Sequence, residues 1–231
     1  MLQIRNLSFS YGAVRVLKDI DMSMEPSRIT CVMGRNGVGK TTLMKNIIGL
    51  LRSSAGSVIL DETDLTGLPA NRRAGAGLAI VPQGRQIFPK LTVQENLFVG
   101  LQARNDQCRT IPEEVYDLFP ILKTMGKRMG GDLSGGMQQQ LAIARALVGQ
   151  PKVLLLDEPT EGIQPNIIQE IGQVLHDLVD QRGMTVVLVE QYLDFVREFG
   201  HEFYVMDRGQ VVAEGATSEL TSEIINLHLT I

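Results

Sequence analysis

The ten residues Met33-Gly34-Arg35-Asn36-Gly37-Val38-Gly39-Lys40-Thr41-Thr42 constrain what this chain can fold into more than any other stretch. Gly34, four free positions and then Gly39-Lys40-Thr41 satisfy the phosphate-loop spacing G-x-x-x-x-G-K-[ST]. Each residue type answers a chemical need. Gly34, Gly37 and Gly39 let the main chain turn with its N–H groups inward, so that a phosphate chain can rest against the backbone. Lys40 brings a point charge for the β- and γ-phosphates, and the Thr41 hydroxyl can ligate Mg²⁺. Asn36 and Thr42 lie in the same loop and count as further candidate contacts. Ile29-Thr30-Cys31-Val32-Met33, apolar and β-branched, predicts a buried strand before the loop. Leu43, Ile47, Leu50 and Leu51 recur at helical spacing after it, so a helix is expected to open with its N-terminus towards the phosphates. Strand, glycine turn and helix in that order predict a bound nucleoside triphosphate rather than a plain turn.

The remaining apolar pattern supplies a sheet to carry this loop. Residues 2 to 25 alternate (Leu2, Ile4, Leu7, Phe9, then Val14, Val16, Ile20, Met22, Met24), which predicts an antiparallel hairpin turning at Tyr11-Gly12. Val58-Ile59-Leu60 and Leu78-Ala79-Ile80-Val81 read as further strands, the second closed by Pro82 and Gln83. Val153 to Leu156 and Thr185 to Val189 are continuous apolar runs, as strands covered on both faces require. A helix expected near Ile167 to Val179 lies between them, so right-handed parallel crossovers are predicted. Phe203 to Met206 and Val211 to Ala213 flank Asp207-Arg208-Gly209-Gln210 as a hairpin, and a short helix finishes the chain. From Leu91 to Gly149 helical periodicity replaces the strand signals, with helices expected to break at Gly130-Gly131 and Gly135-Gly136. The expected fold is therefore α/β. One domain spans 1–231, with a nucleotide-binding core at 1–84 and 151–231 and a mostly helical lobe at 85–150. With 231 residues, 44% of them hydrophobic, the chain has the material for such a core.

Charge and rare residues narrow the function. Twenty-two basic side chains against 26 acidic ones leave a net charge of −4, no footprint for nucleic acid. The two cysteines, Cys31 and Cys108, make no disulfide framework; Cys31 falls in a predicted buried strand as a core thiol, which fits a reducing compartment. His176, His201 and His228 lack ligand spacing. Met1-Leu2-Gln3-Ile4-Arg5 enters strand-like sequence directly, without the pattern of a signal peptide. No apolar run approaches the roughly 20 residues that span a bilayer, so a soluble chain is expected.

Three further places can carry chemistry. Asp157 and Glu158 close an apolar strand at its carboxyl end, where ligands of open α/β sheets collect. Either they form a solvated strand-end pair, or Asp157 meets a Mg²⁺ ion beside the phosphate loop and Glu158 polarises the attacking water as general base. Leu133-Ser134-Gly135-Gly136-Met137-Gln138 places a good N-cap before a helical run, a second helix N-terminus with bare amides. Tyr11 is either a turn aromatic or a flat ring able to stack on a purine.

The phosphate loop, Gln83, the Leu133-Ser134-Gly135-Gly136-Met137 signature and Val153-Leu154-Leu155-Leu156-Asp157-Glu158-Pro159-Thr160 together resemble the ATP-binding subunit of ABC transporters over nearly the whole chain. That resemblance implies ATP and Mg²⁺ as cofactors and a head-to-tail pair of subunits, in which one subunit's signature completes its neighbour's site. Ser134, Gly135 and Gly136 would then contact ATP across the interface, with Ser134 and Gly136 at the γ-phosphate. Tyr11 would stack on adenine, and Gln83 would reach Mg²⁺ and the attacking water. Two positions depart from the family pattern. Gln164 stands where aspartate is usual in the loop crossing the dimer. Gln191 stands where histidine usually reaches the γ-phosphate, and an amide can hydrogen-bond phosphate but not become cationic. Slower hydrolysis, or the weaker site of a heterodimer, is implied.

Val81-Pro82-Gln83-Gly84-Arg85-Gln86-Ile87-Phe88-Pro89, the stretch from Leu91 to Leu97 and Leu188-Val189-Glu190-Gln191 look like the branched-chain amino acid and amide importer group. Glu158 to Pro165 is similar to one ATPase subunit of bacterial urea importers. The resemblance implies urea or a short-chain amide as solute, with branched-chain amino acids as the alternative. It also implies transmembrane permease subunits, an extracytoplasmic solute-binding protein and a place on the cytoplasmic face of the membrane. Arg85, Ile87 and Phe88 are candidates for the groove that receives a permease helix, or Phe88 is buried under a plain surface loop. A soluble ATPase of translation or DNA repair, and a regulatory ATP-binding module without useful turnover, are the rival readings.

Overall fold

The computed structural model describes residues 1–104, 106 and 108–229. Strand β1 (Leu2–Tyr11) turns at Gly12 into β2 (Val14–Met24), and β3 (Ile29–Met33) carries the chain into the glycine loop and helix α1 (Lys40–Ile48). Strands β4 (Ala55–Leu60) and β5 (Thr63–Asp64) return beside β1, giving an antiparallel sheet ordered β2-β1-β4-β5. A short helix α2 (Ala70–Gly75) leads to β6 (Leu78–Val81). Helices α3 (Val93–Gly100), α4 (Glu113–Leu118), α5 (Pro120–Thr124) and α6 (Gly135–Val148) follow with no strand between them among the described residues. Strand β7 (Val153–Asp157), helix α7 (Pro165–Arg182), β8 (Thr185–Val189) and α8 (Leu193–Phe199) come next, then the hairpin β9 (Glu202–Asp207) and β10 (Gln210–Ala216), and last α9 (Ser222–His228). The second sheet runs β10-β9-β3-β8-β7-β6, parallel throughout except for β10.

Period-two alternation between two covered faces explains why its central strands are almost wholly apolar, with Thr30, Asp157 and Thr185 as the exceptions. Ile29, Cys31 and Met33 of β3 enter a core shared with helices α3 to α8, as do Leu154, Leu156, Val186 and Leu188. Val32, Val153, Leu155, Val187 and Val189 point the other way, into a core closed by α1 and the antiparallel sheet. Both faces are dry, so interior strand positions favour apolar side chains. Cys31 is a fully buried thiol whose pKa is raised, first by burial and then by the Glu190 charge.

Local chemistry corrects two expectations and adds one element that was not expected. Gly49 adopts φ +84 and stops α1, so Leu50 and Leu51 lie beyond the helix and Leu50 is largely exposed. Gly135 and Gly136 do not break a helix but form the first turn of α6, because the Ser134 hydroxyl accepts from Met137 N–H and caps it. Helix α2 gave no apolar signal, yet its buried Arg73 donates to the carbonyls of Asn46, Ile47, Leu68 and Thr66. One guanidinium thus bonds two carbonyls of the last turn of α1, Asn46 and Ile47, on the helix that carries the glycine loop.

Candidate active site

Strands β3, β7 and β8 end at one edge of the parallel sheet, with Leu156 level with Leu188 and Asp157 with Val189. The glycine loop crosses this edge. Gly34 adopts φ +141, and a Cβ there would lie 2.3 Å from the Met206 carbonyl oxygen, so only glycine lets the loop approach β9. Gly39 N-caps α1 at φ +112 without any side-chain cap, which leaves first-turn N–H groups for a ligand. The Lys40 ammonium is buried and donates to the carbonyls of Gly34 at 2.7 Å and Arg35 at 3.0 Å. Burial lowers its pKa, while the charges of Glu158, Asp157 and Glu190 pull it back up.

Asp157 is the last residue of β7 and only 2% exposed. Its Oδ1 atom has no hydrogen-bond partner, and the nearby Thr41 hydroxyl favours the ionised carboxyl group. Burial pushes its pKa up, and the Glu158 charge adds to that, against the opposing pull of Thr41 and Lys40. A buried carboxylate with an unused oxygen beside a hydroxyl is a donor set that suits a hard divalent cation such as Mg²⁺. The solvated strand-end alternative is excluded for Asp157 by its burial. No group of three His, Cys, Asp or Glu side chains able to hold a metal occurs among the described residues. His176 and His201, far apart in sequence, do bring their rings to a centroid separation of 5.5 Å.

Glu158 follows in left-handed backbone, φ +51, which costs a non-glycine residue about 1 kcal/mol. Its N–H donates to Val189 O at 2.9 Å, tying the loop after β7 to the end of β8. Two glutamine amides hold its carboxylate. Gln83 Nε2 donates to Oε2 at 2.8 Å, and Gln191 Nε2 donates to Oε1 at 2.7 Å. Gln83 also donates to Glu161 and Gln191 to the Asn36 side chain, so loops from three strands and the glycine loop converge on one carboxylate. Tyr11, Val16, Asn36, Gly37, Gly39, Lys40, Thr41, Thr42, Gln83, Glu158 and Glu161 line a single cleft of about 530 Å³. Tyr11 is half exposed there and packs edge-on against Phe9.

Ser134, Gly135 and Gly136 do not line that cleft. Gly135 lies against the Arg85 guanidinium and Gly136 against Ile167. Gln164 is the N-cap of α7 but makes no side-chain cap bond. Arg85 turns inward, towards Glu161 O and Gln138, while Phe88 is exposed and carries the Arg145 guanidinium 5.1 Å above its ring. The buried alternative for Phe88 is thereby overturned. Sequence reasoning passed over Glu161, although it sits one turn of chain from Glu158, and over the buried pair Thr160 and Glu190, whose contact spans 30 residues and leaves no local trace.

A family model described as ABC transporter matches residues 17–161. The high-affinity branched-chain amino acid transport ATP-binding protein BraG of Pseudomonas aeruginosa is 38% identical over 213 residues, 92% of this chain and 91% of the relative. The probable branched-chain amino acid transport ATP-binding protein LivF of Archaeoglobus fulgidus is 36% identical, covering 95% of this chain and 94% of its own. The lipopolysaccharide export system ATP-binding protein LptB of Escherichia coli is 32% identical, over 96% and 93%. Among solved structures, a nucleotide-free ATP-binding cassette from an ABC transporter superposes with a TM-score of 0.85 at 28% identity, over 98% of this chain and 94% of that one. A dimeric ATP-binding cassette in a post-hydrolysis state with ADP and Pi superposes at 0.84 and 25% identity, over 94% and 99%.

Proposed function

The chain belongs to the ABC transporter family of ATP-binding, ATP-hydrolysing subunits, and on that premise we propose that it is the motor of a small-solute importer whose hydrolytic base is Glu158. The carrying observation is the double amide clamp, with Gln83 and Gln191 each within 2.8 Å of a different Glu158 oxygen, at the cleft that Lys40 and Thr41 line. In this reading the β- and γ-phosphates lie on the N–H groups between Gly34 and Thr42, with Asn36, Gly37 and Gly39 in contact and Lys40 as their counter-charge. Tyr11 offers its ring to adenine at the mouth of the cleft. Mg²⁺, held by Thr41, Asp157 and Gln83, would neutralise charge building on the phosphates. Glu158 accepts a proton from the attacking water, and Gln83 and Gln191 keep its carboxylate aimed by donating to it.

Ser134, Gly135 and Gly136, outside this cleft, are proposed to serve the γ-phosphate of a second ATP-binding subunit, in a head-to-tail homo- or heterodimer. ATP would then bridge two subunits, and hydrolysis would release them. The helices at 85–150 form the lobe that carries the signature, set in the core of 1–84 and 151–231. An apolar groove of about 420 Å³, lined by Leu50, Leu78, Ile80, Val99, Ala103 and Arg145, would take a helix of the transmembrane permease; of the expected residues Arg85, Ile87 and Phe88 none lines it, and Phe88 lies exposed beside Arg145. The chain would thus sit on the cytoplasmic membrane face, in a system completed by an extracytoplasmic solute-binding protein. Among the described residues no helix is long and apolar enough to cross a membrane itself.

For the solute, the likeness to BraG and LivF extends over more than nine-tenths of the chain and favours branched-chain amino acids. The urea or short-amide reading rests on Glu158 to Pro165 alone. The solute never touches this subunit, so uptake of labelled leucine and of labelled urea by cells carrying the whole transporter, with and without Lys40→Ala, decides between them. Loss of leucine uptake supports the first reading; loss of urea uptake alone overturns it.

A further inference from the structure

Glu190 is 3% exposed, directly follows β8 and has no part in the mechanism proposed for Glu158. Its two carboxylate oxygens serve different loops. Oε1 accepts from the Thr160 N–H at 3.0 Å and from the Thr160 hydroxyl at 2.6 Å. Oε2 accepts from the Gln191 N–H at 2.9 Å and the Tyr192 N–H at 3.2 Å. Four donors leave this buried charge fully satisfied, as its burial demands. Thr160 is two residues from the strained Glu158, and Gln191 is the residue whose amide reaches Glu158 Oε1.

We infer that Glu190 is the positioning residue of this site: a single buried carboxylate that locks the loop after β7 to the loop after β8, and so fixes the general base against its glutamine partner. Glu190 itself does not line the cleft. Its effect reaches the reaction through Thr160 on one side and Gln191 on the other. Since Gln191 is an uncharged amide, no ionic attraction draws it to Glu158, and its placement depends on backbone held from behind. The inference rests on Glu158 acting as general base.

The test compares single-turnover ATP hydrolysis and equilibrium ATP binding for the wild type, Glu190→Gln, Thr160→Val and Glu158→Gln. Glu190→Gln keeps one accepting oxygen but turns an NH₂ group towards N–H donors, so one loop must let go. Its hydrolysis rate constant is expected to fall on the order of a hundredfold, as a misplacement near 1 Å does. Its ATP dissociation constant is expected to stay within about threefold, since the glycine loop is untouched. Thr160→Val keeps the side-chain volume, removes only the hydroxyl bond and is expected to slow hydrolysis about tenfold with the same unchanged affinity. Hydrolysis within about twofold of wild type in both variants, or affinity lost in step with rate, overturns the positioning role. If Glu158→Gln hydrolyses at the wild-type rate, the general-base reading falls first and takes this inference with it. If Glu158→Gln is inert while Glu190→Gln is fully active, the positioning inference alone is wrong.

Discussion

Lys40 is buried inside the loop it completes, and its ammonium is held by two loop carbonyls. Its charge is therefore aimed before any phosphate arrives, and Lys40→Ala should weaken ATP binding by about 10²-fold, as the loss of a charge-assisted contact of 1.5–3 kcal/mol implies, read by equilibrium dialysis. Asp157 behaves in the opposite sense in the free protein. Burial raises its pKa, so its ionised form is disfavoured in the native state and contributes negatively to stability as pH rises through the folded pKa. Asp157→Asn should accordingly stabilise the nucleotide-free protein by about 1 kcal/mol at neutral pH, seen as a raised Tm. The same variant should lose the extra stabilisation that Mg²⁺ adds to ATP in the wild type, because the cation that would relieve the charge no longer has its ligand.

Among the elements, α1 depends on a residue outside itself. Arg73 donates to the carbonyls of Asn46 and Ile47 at 2.8 and 2.7 Å and to two loop carbonyls besides. Arg73→Met removes the guanidinium from the Ile47 carbonyl and leaves Asn46 O with the Gly49 N–H alone, and should cost about 3 kcal/mol in urea unfolding, with ATP affinity reduced because the glycine loop rides on that helix. The arrangement was invisible in the sequence, where α2 is six residues with no large apolar side chain and Arg73 looks like a solvated cation. By contrast β3, β7 and β8 were legible, since a strand dry on both faces favours a nearly continuous apolar run. The glycine loop was legible because Gly34 and Gly39 adopt backbone that few other residues tolerate. Leu50 and Leu51 misled for a complementary reason: periodicity continues through Gly49, whereas the helix does not. Contacts across 30 or more residues, such as Thr160 to Glu190 and Gln191 to Asn36, depend on which strands neighbour one another, and no local pattern encodes that.

At the scale of the whole molecule, the cleft and the signature helix are separate places on one chain, since Ser134, Gly135 and Gly136 are absent from the cleft lining. A site split this way asks for a second subunit. Glu158→Gln saturated with Mg²⁺ and ATP is expected to roughly double in mass by light scattering, alone or with its partner ATPase subunit. Adding Ser134→Arg should cancel the pairing while leaving ATP bound. The most direct test of the account is a single turnover of ATP by Glu158→Gln. ATP should bind with wild-type affinity and be cleaved about 10³-fold more slowly, the share a positioned general base supplies. Cleavage at the wild-type rate would contradict the central claim that the carboxylate clamped by Gln83 and Gln191 drives hydrolysis.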